Sequence, residues 1–267
     1  MVSLFRLICS LLALVMLPAV SLAQSGTAPV TAPPVIAAAN NLQFAIEELA
    51  EAFRAETGQA VRLAMGSSGN ASRQIRQGAP FELFLSADED YVLDLARDGF
   101  TRDEGIVYAI GRLAIVTPKN SPLKADGTLQ DLAAALADGR LTRFAIANPD
   151  HAPYGQRAVE ALRHKGLWQT IEPKLVYGEN ISQAAQFALS GNAQGGLVAY
   201  ALALTPQARQ AGAYALVPQE YHSPLRQRMA LTKKAGPAAE RFYAYLQTPP
   251  ARAIFRKYGF LLPGESG

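Results

Sequence analysis

The stretch Gly66-Ser67-Ser68-Gly69-Asn70-Ala71-Ser72 sets hydroxyl and amide side chains between two glycines. It can turn the chain, carry a serine nucleophile, or cradle an anion with hydroxyls and backbone N–H groups. A nucleophile elbow needs G-x-S-x-G; Ser68 stands in the serine place, but Asn70 stands where the second glycine should be. A nucleophilic serine also needs a base, and the candidates are His151, His164 and His222. His151 adjoins Asp150 in a turn, which does not by itself orient a dyad. His164 falls on a predicted helix between Arg163 and Lys165 and reads as solvated, and His222 falls in a late loop. A secreted serine hydrolase stays as an alternative, with neither base nor orienting group supported.

Three other turns share the character of the first: Asn40-Asn41, Ala152-Pro153-Tyr154-Gly155 and Asn180-Ile181-Ser182. Each follows an apolar run and precedes a helical pattern. A helix start exposes unpaired N–H groups and the positive end of the helix dipole, so several aimed at one point bind an anion without Lys or Arg. Ser, Asn and Tyr side chains add donors. Taken singly, each of these residues reads as a cap or turn former; convergence of all four is the sharper expectation.

Other chemistries find little support. There is no P-loop, no G-x-G-x-x-G and no HExxH. The single cysteine, Cys9, and three scattered histidines argue against a transition-metal cation site and against disulfides. Lys and Arg number 25 against 22 Asp and Glu, a net charge of +3 spread along the chain, which argues against nucleic acid. No cofactor is expected.

The elements that must carry these turns follow from hydrophobic periodicity. VIAAA (35–39) reads as a buried strand. Leu42, Ile46, Leu49 and Phe53 then form one helical face, with Asn41 at the N-cap and Gly58 as the stop. Val61–Met65 and residues 81–87 are the next strands, and residues 88–99 a helix with an acidic first turn. RLAIVTP (112–118) is a further strand, and residues 128–139 a helix with Thr128 as its cap. Residues 144–147, 175–177 and 195–204 are strands alternating with helices, the one after GEN running 182–191. The stretch 213–236 holds two β segments, and helices at 237–247 and 249–259 close the chain. This rhythm predicts parallel sheets with helices on their faces. It divides into two α/β lobes, residues 35–111 plus 225–267 and residues 112–224, hinged about a cleft that the carboxyl ends of the strands face.

The first 23 residues differ. Arg6 is their only charge, an apolar run from Leu7 to Leu17 is interrupted only by Ser10, and Ser21 and Ala23 are small. They read as a signal peptide cleaved near Ala23-Gln24, since the run is short for a membrane span. Residues 24–34, rich in Ala, Pro and Thr, read as a flexible linker.

AAANNL, GSSGNASRQIRQGAPFELFLSAD, ANPDHAPYGQRAVEAL and GENISQAAQFALSGNAQGGLVA together resemble the molybdate-binding periplasmic proteins of ABC importers, over roughly residues 35–262. The resemblance implies a type II periplasmic binding fold closing on a tetrahedral oxyanion. It implies that Asn40, Asn41, Ser68, Tyr154 and the backbone N–H of Ile181 hold molybdate, and tungstate too. Ala199 stands where one subgroup has a tyrosine, with Tyr200 one place off, so Tyr154 is the expected hydroxyl donor. The implied partner is an inner-membrane ABC permease, the implied place the periplasm, and the implied state a monomer without catalysis. Sulfate or another small oxyanion is the alternative ligand.

Overall fold

Four consecutive residues of the first strand, Ile36 to Ala39, are buried, as expected of a parallel strand covered on both faces. A computed structural model describes residues 32–265; the expected signal peptide and most of the expected linker lie outside the described residues. Among the described residues there are ten strands: β1 (Val35–Ala39), β2 (Arg62–Gly66), β3 (Phe81–Leu85), β4 (Ile106–Gly111), β5 (Leu113–Pro118), β6 (Phe144–Ala147), β7 (Leu175–Gly178), β8 (Gly196–Ala199), β9 (Gly212–Leu216) and β10 (Leu225–Leu231). They form two five-stranded sheets, ordered β2-β1-β3-β10-β4 and β7-β6-β8-β5-β9. This is the two-lobed α/β architecture of type II periplasmic binding proteins.

Side chains alternate across β1 as the two-residue period requires. Ile36 and Ala38 pack with Leu42, Phe53, Phe242 and Phe255, while Ala37 packs on the opposite side with Ile75, Phe84, Val92 and Leu95. The edge-to-face contact of Phe53 with Phe242, centroids 5.1 Å apart, joins the first helix (Gln43–Thr57) to the returning helix Pro237–Tyr245. The second sheet has its own core, around Ile115, Phe144, Ile146, Leu162 and Leu197.

Register fixes where the turns go. In the first sheet β1 runs parallel to β2 and β3, with Ala39 opposite Gly66, so the turns after all three strands leave from one end. In the second, β6 runs parallel to β7 and β8, with Ala147 opposite Gly178, and the turns after β6 and β7 leave together. The chain passes between sheets twice, at Arg112 between β4 and β5 and between β9 and β10. Arg112 is pinned there, its Nε donating to the Gly259 carbonyl and its guanidinium 4.5 Å over the Tyr200 ring.

Several local expectations are corrected. The run 195–204 is not one strand: β8 ends at Ala199 and Tyr200–Ala203 is helical. Buried apolar runs do not reveal their period, so a strand and a following helical turn read alike. Thr128 does not cap the helix Gln130–Ala137. The Asp126 carboxylate does, accepting from the N–H groups of Gln130 and Asp131 and from the Thr128 hydroxyl. Asn41 does not cap the first helix either. A 3₁₀ turn, Asn40–Leu42, precedes that helix, and the Asn41 side chain turns into the protein. Pro34, expected in the linker, is buried, and its carbonyl accepts from the Arg62 N–H at 2.9 Å.

Candidate functional site

Asn40, Asn41, Ser68, Tyr154 and Ile181 line one small cavity together with Ala39, Gly66, Ser67, Ala87, Ala152 and Pro153. The turns after β1 and β2 supply one wall, and those after β6 and β7 the other. The cavity holds about 10 Å³, roughly the room of one water-sized sphere. No Lys, Arg, Asp, Glu or His lines it. A much larger cleft of about 650 Å³ shares none of these lining residues; it is formed by Asn148, Pro149 and Asp150 of the turn after β6 with Arg157, Arg163, Trp168 and Tyr177.

Helix starts converge on the cavity, and at two of them a side-chain cap leaves one N–H spare. Ser67 caps the helix Ser68–Arg76, its hydroxyl accepting from the Asn70 N–H at 3.4 Å. The Gly69 N–H goes to the His151 carbonyl and that of Ala71 to the Ser67 carbonyl, so the N–H of Ser68 is the spare one. Asn180 caps the helix Ile181–Leu189, accepting from Ser182 and Gln183 at 3.0 and 3.1 Å, which spares the N–H of Ile181. The helix Pro153–His164 has proline at its first position, and Tyr154 follows. Each start adds a partial positive charge, so the wall favours an anion without any formal cation.

The side chains complete a donor-rich lining. Ser68 is fully buried; its oxygen accepts from the Ala87 N–H at 2.9 Å, which leaves its proton for a ligand. Tyr154 is 1% exposed, and burial pushes its phenol well up, so it stays protonated. The Asn41 amide donates to the Gln227 side-chain oxygen at 3.0 Å. The side-chain oxygens of Asn40 and Asn41 are buried without partners, and the Asn40 amide makes no other side-chain bond that would stop it turning its NH₂ inward.

Residues not singled out in the sequence also shape the site. Gln227, from β10, is wholly buried behind Asn41 and Tyr154. Gly69 lets the helix start approach the turn after β6, whereas Gly66 has open space where a Cβ would sit. Tyr200 lies against Arg112 and Tyr214 and does not line the cavity.

His151 does meet a serine, but Ser67 rather than Ser68, with Nδ1 3.0 Å from the hydroxyl oxygen. Its Nε2 lies 3.5 Å from Glu179, whose carboxylate also accepts from the Asn70 amide at 2.8 Å. The series resembles a triad, yet its serine is a helix cap and its members come from opposite walls of the cleft. His164 stacks on Tyr221 at 4.6 Å, and His222 lies beside Ser223. Among the described residues no cluster of His, Cys, Asp or Glu could hold a metal cation.

Residues 34–261 match the family of bacterial extracellular solute-binding proteins. The molybdate-binding protein ModA of Rhodobacter capsulatus is 38% identical over 87% of this chain and 90% of its own length. ModA of Azotobacter vinelandii is 35% identical over 84% of this chain and 88% of its own. The solved periplasmic molybdate-binding protein of Azotobacter vinelandii superposes with a TM-score of 0.77 at 32% identity, covering 86% of this chain and 99% of that one.

Proposed function

The chain belongs to the bacterial extracellular solute-binding proteins, and we propose that it is the molybdate-capturing member of an ABC importer. One observation carries this reading: five residues from four separate turns surround a single cavity of neutral donors with no formal charge in its lining. Molybdate and tungstate are unprotonated tetrahedral dianions near neutral pH. They ask for donors all round and for no carboxylate to take a proton. Hydrogen phosphate would profit from such a carboxylate, yet Asp150 and Glu179, near two of the turns, stay outside the lining. The curated relatives' names point to the same anion.

In this reading the anion accepts hydrogen bonds from the Ser68 and Tyr154 hydroxyls, the Asn40 and Asn41 amides and the Ile181 N–H. Residues 35–111 with 225–267 form one lobe and residues 112–224 the other. Closing the lobes brings the two donor walls together, and the shape of the closed form is what the permease reads. The protein works in the periplasm as a monomer, with residues 1–23 removed as a signal peptide. It carries no cofactor, binds no nucleic acid and performs no chemical step. Ser67, the serine that meets a histidine, is occupied as a cap.

Calorimetric titration of the purified protein with molybdate, tungstate, sulfate and phosphate tests this. Tight binding of molybdate and tungstate over sulfate and phosphate is expected. Tight sulfate binding without a molybdate response would overturn the ligand assignment in favour of another small oxyanion.

A further inference from the structure

Gln227 is wholly buried on β10, beside the irregularity between Gln227 and Arg228 in its pairing with β4. A carboxamide offers two acceptor lone pairs on one side and two donors on the other. The Gln227 oxygen accepts from the Asn41 amide at 3.0 Å and from the Tyr108 hydroxyl at 2.9 Å, which fills the acceptor side. The Gln227 amide nitrogen then donates to the Tyr154 hydroxyl oxygen at 3.3 Å. Gly111 makes the approach possible: a Cβ there would collide with the Tyr154 hydroxyl and sit 2.5 Å from the Gln227 amide nitrogen.

We infer that Gln227 is a positioning residue that sets the hydrogen-bond polarity of the anion site. Because Gln227 donates to the Tyr154 oxygen, the phenol proton is not spent on the protein and is directed at the ligand. Because Gln227 also accepts from Asn41, it ties a donor from one lobe to a donor from the other. The opposite arrangement would turn both amides. Gln227 would then donate to the Asn41 oxygen and accept the Tyr154 proton, while Tyr108 would donate to the Ser86 carbonyl, 3.1 Å away. That arrangement would withdraw the phenol proton from the cavity, and a dianion disfavours it.

The inference rests on the oxyanion reading, and one set of titrations separates the two. Wild type, Gln227→Met, Tyr154→Phe and the double variant are titrated with molybdate and with sulfate, folding being verified by thermal denaturation. Loss of a hydrogen bond to a charged ligand weakens binding by about tenfold or more. Gln227→Met should therefore weaken the anion about tenfold and Tyr154→Phe at least as much. The loss in the double variant should be clearly smaller than the product of the two single losses, since Gln227 acts largely through the phenol. Gln227→Glu replaces the donor by an acceptor that takes the phenol proton and adds a negative charge. It should bind at least about a hundredfold more weakly at pH 8 and regain affinity towards pH 6 as the buried carboxylate protonates, with wild type flat over that range. Multiplicative losses in the double variant, or Gln227→Met binding as well as wild type while Tyr154→Phe is weakened, would overturn the inference alone. A wild type that binds neither anion would overturn both it and the proposed function.

Discussion

The backbone N–H of Gly69 donates to the backbone carbonyl of His151 at 2.9 Å, joining a helix start that follows the first sheet to a turn that follows the second. The contact is possible only because residue 69 lacks a Cβ, which would lie 2.8 Å from the His151 oxygen and 2.9 Å from its Cα and Cβ. Ser67 and Asn70 meet His151 and Glu179 beside it. These contacts bring the two walls of the cavity together, and in the proposed reading they report on closure rather than on the folding of either lobe.

Gly69→Ala separates those two roles. Residue 69 is helical, and alanine is favoured over glycine in a helix by about 1 kcal/mol. The anion-free protein should melt at the same temperature or slightly higher. Closure should be obstructed by a methyl group set against backbone, so molybdate affinity should fall at least about tenfold, mainly through faster release. Stopped-flow release kinetics beside a melting curve decide it. Unchanged release would mean that the Gly69–His151 approach is not part of the bound state.

Ser68→Ala should behave differently, because Ser68, a ligand contact in the proposed reading, is also part of the scaffold. Its oxygen is the acceptor for the buried Ala87 N–H. Removing it strands that donor, at a cost of about 1–3 kcal/mol, besides deleting a hydroxyl from the site. Both the melting temperature and the anion affinity should drop. Loss of affinity with the melting temperature untouched would indicate that the Ala87 N–H has found another acceptor.

The convergence of the turns was legible because the βα rhythm predicts parallel strands, and parallel strands send their following turns to one end. What stayed hidden came from the strand that returns. Gln227 lies 186 residues from Asn41 and 73 from Tyr154; the two-residue period of LRQRMAL sets it on the face of Leu225 and Met229, but nothing in the sequence says that it meets Asn41 and Tyr154 there. The Ser67–His151 pairing was hidden for the same reason, since both residues are capping or turn types whose meeting depends on the two lobes closing. Asp126 outcompeted Thr128 as a cap because a carboxylate two residues earlier reaches several N–H groups at once. Tyr200, one place past Ala199, does not line the cavity, and the helical turn that carries it does not show in an unbroken apolar run.

Asp88 and Arg157 form an ion pair between the lobes, with the two side chains only 7% and 12% exposed. Asp88 also caps the helix Glu89–Arg97 through the Asp90 N–H. Burial pushes its carboxyl up, with Arg157 acting in the opposite direction. Removing one partner of a buried pair leaves an uncompensated charge in the closed form, at a cost of up to about 3–5 kcal/mol. Arg157→Met should therefore weaken molybdate strongly although it touches no ligand. X-ray scattering of the protein at saturating molybdate should show a larger open fraction than wild type, and identical curves would rule out a role in closure.

Glu48 provides a stability test apart from the anion. It lies on the first helix, and its carboxylate accepts from the Lys257 ammonium at 2.8 and 2.7 Å and from the Tyr258 hydroxyl at 2.7 Å, tying that helix to the end of the last one. The Lys257 hydrogen bond, followed by that of Tyr258, holds the Glu48 carboxyl below its ordinary value of 4.5. A carboxyl depressed in the folded state contributes stability that is present above its unfolded value and is lost as pH falls through the folded one. The group is partly exposed, so the contribution is small, about 0.2–1 kcal/mol. Glu48→Gln should lower the melting temperature by a few degrees at most at pH 7. The gap to wild type should close as pH falls below about 4.5, where the wild-type carboxyl also becomes neutral. Melting curves from pH 7 to pH 3 measure that gap, and a gap that persists or widens in acid would show that the three groups are joined by packing rather than by charge.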